Sequence, residues 1–130
     1  MSTTMNLTGC GRSALKVKQR DIVLVPFPFS DTTTTKVRPA LVVSHDTYNA
    51  SYLDAVVLAM TSNTLANPYK VVIASEELEQ GSLPETSAVR VDKPYSVLQS
   101  KVLKVQGKVS EETLEQVLTT WIAVFREIQE

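Results

Sequence analysis

The hydrophobic and polar positions divide the chain into a β-rich stretch followed by one helical stretch. Six short apolar runs bounded by turn signals predict strands, over residues 21–25, 40–44, 55–60, 69–74, 88–91 and 97–105. Pro26 and Pro28 lack a backbone N–H and are expected to end the first strand, and Gly107 is expected to end the last. Residues 30–37, with four consecutive threonines, are expected to form an exposed, mobile loop.

Residues 110–128 have the period of an amphipathic helix. Ser110 is a suitable N-cap, and the first turn carries Glu111 and Glu112, which suit the positive end of the helix dipole. Apolar side chains then recur at helical spacing, which predicts a face that packs on the core: Leu114, Val117, Leu118, Trp121, Ile122, Phe125 and Ile128. Strands followed by one terminal helix predict a mainly β fold, a strongly curved antiparallel sheet or small barrel with the helix laid across it.

Length and composition bound the kind of protein. A chain of 130 residues fits one core, so we expect a single domain over residues 16–130, after a polar, aperiodic and disordered tail over residues 1–15. No apolar run reaches the ~20 residues that span a bilayer and no signal peptide is evident, so the cytoplasm is the expected compartment. The single cysteine, Cys10, excludes an internal disulfide. With His45 as the single histidine, a zinc site is not expected, and neither is any other metal or cofactor.

The charges are unevenly distributed in a chain of net charge −1. Residues 86–110 contain five cations, including Lys93 and Lys101, against one carboxylate, whereas residues 75–85 contain four glutamates and no cation. A near-neutral chain with such a segment can present a basic groove to phosphates. Charge alone, however, favours an ordinary lysine-rich strand face in contact with water.

A possible site for chemistry lies where two predicted strands meet. If residues 40–44 and 55–60 pair through a turn near Asn49, Arg38 and Thr61 face each other at one end of the sheet, beside the threonine-rich loop. An arginine can hold a phosphate by two hydrogen bonds. The pattern also permits a purely structural role, with Arg38 paired to Asp31 or Asp46 and Thr61 capping its strand.

Three segments resemble the MazF/PemK toxin family. They are residues 21–31 (DIVLVPFPFSD) with 36–44 (KVRPALVVS), residues 59–62 (AMTS), and residues 101–112 (KVLKVQGKVSEE). The similarity runs in register over residues ~20–127, nearly the whole domain. It implies an SH3-like small barrel of MazF/CcdB type and a toxin of a type II toxin–antitoxin system. That toxin would be a homodimer with a cognate antitoxin and an endoribonuclease that cuts single-stranded RNA or mRNA at specific sequences.

The resemblance also assigns residues. The catalytic arginine and hydroxyl of the family fall on Arg38 and Thr61. We further expect RNA contacts from polar and basic side chains around them, namely Ser30, Lys36, Ser62, Lys93 and Lys101. Two positions depart from the family: Arg20 stands where glycine is usual, and Gln99 stands where an acidic residue is common, which leaves the turn before the first strand and the contacts at Gln99 open.

The chemistry implied by this family needs neither a metal nor an external nucleophile. The RNA 2′-hydroxyl attacks the adjacent phosphorus and leaves a 2′,3′-cyclic phosphate and a 5′-hydroxyl. Two other functions remain open for the same fold: a CcdB-like protein that poisons DNA gyrase by binding, and an SH3-like module that binds RNA or peptide without cutting it. Neither alternative requires an arginine beside a hydroxyl.

Overall fold

The computed structural model describes residues 16–28 and 35–127, so the tail predicted for residues 1–15 lies outside the described residues. The strands are β1 (Asp21–Pro28), β2 (Thr35–Val42), β3 (Asp54–Thr61), β4 (Lys70–Ile73), β5 (Gln80–Gly81), β6 (Ser87–Leu98) and β7 (Lys104–Lys108). The helices are α1 (Asp46–Ser51) and α2 (Glu111–Phe125), and short 3₁₀ turns lie at Ser75–Glu77 and Gln99–Lys101.

The strands form one antiparallel sheet in the order β4-β6-β3-β2-β1-β7-β5. The sheet is strongly curled, because the ring of Phe27 on β1 contacts the ring of Tyr95 on β6 although β2 and β3 lie between those strands. The predicted mainly β architecture with a C-terminal helix is therefore confirmed.

Alternate residues along each strand supply two hydrophobic cores, one on each face of the sheet. The first contains Ile22, Leu41 and Leu58 and is covered by α2 through Val117 and Trp121. The second lies on the opposite face and is built mainly from small and β-branched side chains: Val17, Val23, Val25, Ala40, Val42, Ala55 and Val57. Along β2 and β3, Arg38 and Thr61 are an even number of residues away from the members of this second core. Both side chains therefore lie on the face of the sheet that α2 does not cover.

The prediction that two prolines end the first strand is wrong. Strand β1 continues to Pro28 and pairs Pro26 with Val37. The Leu24 carbonyl accepts a hydrogen bond from the Leu103 N–H, so the backbone N–H and C=O groups of the even-numbered residues of β1 point toward β7. The pairing of β1 with β7 ends at Leu24. Pro26 and Pro28 lie beyond Leu24, so the N–H that each proline lacks would have had no partner on β7. Strand β2 begins accordingly at Thr35, inside the stretch that the sequence predicted as a loop.

The two predicted strands over residues 88–91 and 97–105 are also corrected. Residues 87–98 form the single strand β6, whose pairing with β3 is interrupted by a bulge opposite Ala59. The last strand starts later, at Lys104, and Gly107 lies inside it rather than ending it. Glycine is needed there because a Cβ would lie 2.8 Å from the Gln80 carbonyl oxygen of β5.

The helices agree with the prediction in part. The Ser110 hydroxyl accepts from the Thr113 N–H, as expected of the N-cap of α2. Ile122 and Phe125 stay exposed, however, so the predicted apolar stripe packs only over its first turns and along Trp121. Helix α1 was not predicted, because six residues are too few to establish a period. His45 caps it by accepting from the Tyr48 N–H.

The two departures from the family have structural roles. Arg20 has a positive φ of 82°, where glycine is favoured, and its guanidinium binds Glu79 and the Val109 carbonyl at 3.0 Å each. Gln99 is buried and accepts from the Val17 N–H, while its amide donates to carbonyls at the end of α1 and the start of β3. Gln99 lines none of the grooves described below.

Candidate active site

The site begins where strands β2 and β3 separate. Their ladder pairs Ala40 with Ala59, which is the register predicted from the sequence, and it extends no further toward Arg38. Pro39 explains the end of the ladder, because its nitrogen has no hydrogen to donate. Continued by two residues, the register sets Arg38 opposite Thr61, across a gap where the two strands are no longer paired.

Arg38 and Thr61 line a cavity of about 180 Å³ in that gap. Its walls also include Phe27, Arg90 and Tyr95, and we call it the aromatic cavity. Both catalytic candidates are partly buried, which is the exposure expected of groups that must meet a ligand and still be held by the fold. Two arginines in one small cavity favour an anionic occupant.

A second, larger groove of about 480 Å³ opens from the same pair. Here Arg38 and Thr61 are joined by Lys36 and Ser62, two of the residues that the sequence predicted to bind RNA. We call it the polar groove. Its lining also includes Glu85, Ser87 and Gln106, which offer hydrogen-bonding groups where the aromatic cavity has the rings of Phe27 and Tyr95. The Arg38–Thr61 pair therefore lies between an aromatic cavity and a polar groove.

The hydroxyl of Thr61 has a defined orientation. Its oxygen accepts a hydrogen bond of 3.1 Å from the Asn63 N–H, which leaves the hydroxyl proton to donate. The strand-capping role considered from the sequence is thus present, and it is compatible with a hydroxyl that donates to a ligand. The pairing of Arg38 with Asp46 is not found, since Asp46 lies beyond the other end of β2 and accepts from the Gln19 N–H.

Basic residues continue from the aromatic cavity along the bulge of β6. Arg90 lines both this cavity and an adjoining groove that also contains Lys93, the third predicted RNA-binding residue in this region. The Lys93 Nζ lies 3.8 Å from the Asp92 Oδ2, and both side chains are about half exposed. This ion pair is therefore weak and leaves Lys93 able to bind a phosphate. No spacing in the sequence indicates Arg90, because the bulge next to it is a tertiary feature; Arg90 lines the same cavity as Arg38.

The other two predicted RNA-binding residues stay predictions. Ser30 lies outside the described residues. Lys101 is exposed in the 3₁₀ turn after Leu98, which pairs with Asp54 at the end of β3 opposite to Thr61. Lys101 lines neither the aromatic cavity nor the polar groove, and its contact with RNA stays a prediction.

Tyr95 is a further member of the site that the sequence analysis missed. Its ring meets Phe27 edge to face, with centroids 5.4 Å apart and planes at 66°. The hydroxyl oxygen is buried and has no hydrogen-bond partner in the described part of the chain. Burial raises the pKa of Tyr95 above its ordinary value.

Neither metal ligands nor membrane spans are found among the described residues. No three His, Cys, Asp or Glu side chains cluster in residues 16–28 and 35–127 in a way that could hold a metal ion. Of the helices described, none is long and apolar enough to cross a bilayer.

Several solved structures have a similar fold. An endoribonuclease in complex with its cognate antitoxin from a mycobacterial species has a TM-score of 0.71 at 16% identity, over 88% of this chain and 99% of that one. The MazE–MazF complex from Deinococcus radiodurans has a TM-score of 0.71 at 18% identity, over 85% and 97%. The toxin MazF-mt6 of Mycobacterium tuberculosis reaches 0.65 at 17%, over 85% and 100%. At these identities the likeness shows the fold. No curated protein matches the sequence.

The curled sheet and the arginine–hydroxyl pair define a small β protein with a cationic candidate site at one end of its sheet. The family profile described as the PemK-like, MazF-like toxin of type II toxin–antitoxin systems matches residues 18–125. The chain belongs to this family.

Proposed function

We propose that this toxin is an endoribonuclease that cuts single-stranded RNA without a metal cofactor, at a phosphodiester held between Arg38 and Thr61. The observation that carries the proposal is the position of this pair where the aromatic cavity and the polar groove meet. A single strand can cross such a junction with nucleotides on both sides of the phosphate. The similar mycobacterial structure is described as an endoribonuclease, which supports the same activity.

In the proposed reaction the RNA supplies its own nucleophile. The 2′-oxygen forms a bond to phosphorus, the bond from phosphorus to the 5′-oxygen breaks, the 2′-hydroxyl loses its proton, and the leaving 5′-oxygen gains one. The products are a 2′,3′-cyclic phosphate and a 5′-hydroxyl. The protein has to orient the phosphate and stabilise the charge that develops on its oxygens.

Arg38 and Thr61 divide these tasks. The Arg38 guanidinium presents a planar set of donors to the non-bridging oxygens, and the Thr61 hydroxyl, oriented by the Asn63 N–H, donates to one of them. Preorganised donors of this kind contribute on the order of 3–4 kcal/mol each to the transition state. Arg90, on the other wall of the aromatic cavity, is placed to bind the same phosphate or its neighbour.

The test is incubation of the purified protein with labelled single-stranded RNA in EDTA. We expect discrete fragments that end in a cyclic phosphate. Intact RNA together with killing of cells would favour a gyrase poison, and intact RNA that is retained by the protein would favour a binding module. Either of these results would contradict the proposal.

We also propose a cognate antitoxin that ends in a partly disordered, acidic and apolar segment, and action in the cytoplasm, where mRNA is translated. Arg90 and Lys93 form a basic surface that an acidic segment can cover as it folds. The similar structures include two complexes with antitoxins. If the product of the neighbouring reading frame neither binds this chain nor relieves its toxicity, this part of the proposal fails.

A further inference from the structure

The hydroxyl of Tyr95 is a feature that folding does not explain. Its oxygen is buried without a hydrogen-bond partner in the described part of the chain, and burying a polar group in this way is unfavourable. A phenylalanine would fill the same space and keep the ring contact with Phe27. The hydroxyl therefore has no stabilising role in the described contacts, which directs attention to what it could meet when a ligand is bound.

The surroundings of Tyr95 suit a flat, polar-edged ligand. The rings of Phe27 and Tyr95 form one wall of the aromatic cavity, and the small side chain of Ala59 contributes to its floor. The cavity volume of about 180 Å³ is roughly ten times what one water molecule needs. An edge-to-face ring contact is a weak restraint, so a stacked ring can replace it.

The same cavity also contains the groups that we propose hold the scissile phosphate. Arg38, Thr61 and Arg90 all line it. A nucleotide whose phosphate binds these groups has its base within reach of the two aromatic rings. Aromatic side chains stack on any base, whereas a hydroxyl discriminates between base edges by hydrogen bonding.

We infer that Phe27 and Tyr95 bind the base of one nucleotide next to the cleaved bond, and that the Tyr95 hydroxyl selects this base by a hydrogen bond to its edge. This inference rests on the proposed nuclease activity and names a specificity-determining residue for it. The protonated phenol can both donate and accept such a hydrogen bond.

The test compares wild-type protein with Tyr95→Phe, which removes the hydroxyl alone. Cleavage sites are first mapped on a long RNA. Short oligoribonucleotides of a mapped site are then made with each of the four bases at every position flanking the cut. We expect wild type to prefer one base at one adjacent position by at least about tenfold in kcat/KM. Tyr95→Phe should lose that preference, keep the preferences at the other positions, and unfold at the same or a higher temperature.

Tyr52→Phe is the matched control, since Tyr52 is exposed near the start of β3, at the opposite end of that strand from Thr61. It should leave every base preference unchanged. Folded Tyr95→Phe that keeps all wild-type preferences would overturn the inference while leaving the nuclease activity in place. A uniform loss of rate on all substrates would also overturn it, because it would assign the hydroxyl to catalysis. A wild-type protein that cuts no RNA would overturn both proposals.

Discussion

We propose that Arg38 and Thr61 contribute different kinds of hydrogen bond at the same phosphate. Replacing Arg38 by alanine should lower the single-turnover cleavage rate by about a thousandfold or more, and lysine should restore little, because a point charge cannot reproduce the planar fork. Thr61→Val should cost roughly 10²–10³ in rate, whereas Thr61→Ser should retain much of the activity.

The control variants remove a guanidinium and a hydroxyl from the region of α2. Arg126→Ala and Thr119→Val alter exposed residues on or next to the helix, which covers the other face of the sheet. Both should cleave at the wild-type rate. Full activity in a folded Arg38→Ala protein would show that the phosphate binds elsewhere.

Arg20 is the residue at which the backbone itself can be tested. With a φ of 82°, alanine at this position keeps the unfavourable conformation and loses the contacts to Glu79 and Val109, while glycine loses the same contacts but tolerates the conformation. Arg20→Gly should therefore be more stable than Arg20→Ala by about 1 kcal/mol. Urea unfolding measures the difference. Equal stability of the two variants would mean that the positive φ carries no cost.

The residues of the site differ in how far the sequence could predict them. Arg38 and Thr61 follow from strand register, because β2 and β3 pair symmetrically about the connection between them, even though that connection contains α1. Arg90 and Tyr95 belong to a strand whose bulge shifts its pairing with β3 and turns Tyr95 to the second core. A bulge of this kind leaves no periodic signal, so these two residues could be found only in the folded chain.

At the level of elements, strands β5 and β7 approach each other closely enough to require glycine. Gly81 has a φ of 80°, and a Cβ on it would overlap the Gln106 carbonyl oxygen. Gly81→Ala should lower the free energy of unfolding by roughly 1–3 kcal/mol. Ser82→Ala, at the exposed neighbouring position, should change it little. A Gly81→Ala protein as stable as wild type would show that this edge of the sheet can shift at no cost.

A helix or strand can be predicted from the sequence when its apolar residues recur with a clear period. Helix α2 was found because its apolar stripe and the cap at Ser110 agree, whereas α1 has six residues and depends on a side-chain cap from His45. The extent of β1 through Pro26 was misjudged, because a proline is harmless only where the neighbouring strand has already ended. That condition is set by the arrangement of the sheet and not by the local sequence.

At the level of the whole molecule, we expect a homodimer. The aromatic cavity and the polar groove of one chain are small, whereas two copies related by a two-fold axis offer a longer surface for several nucleotides. Light scattering at ~10 µM protein, a concentration at which a specific dimer of micromolar or better affinity forms, should give twice the mass of the chain. A monomer under these conditions would contradict the expectation.

We propose that this protein cuts RNA with the RNA's own 2′-hydroxyl as nucleophile. The direct measurement uses two oligonucleotides of one cleaved sequence, one entirely DNA and one with a single ribonucleotide on the 5′ side of the scissile phosphate, both in EDTA. Wild-type protein should leave the DNA intact and cut the other strand at the ribonucleotide, with a 2′,3′-cyclic phosphate end. Cleavage of the all-DNA strand, or cleavage of the chimeric strand away from the ribonucleotide, would contradict the account.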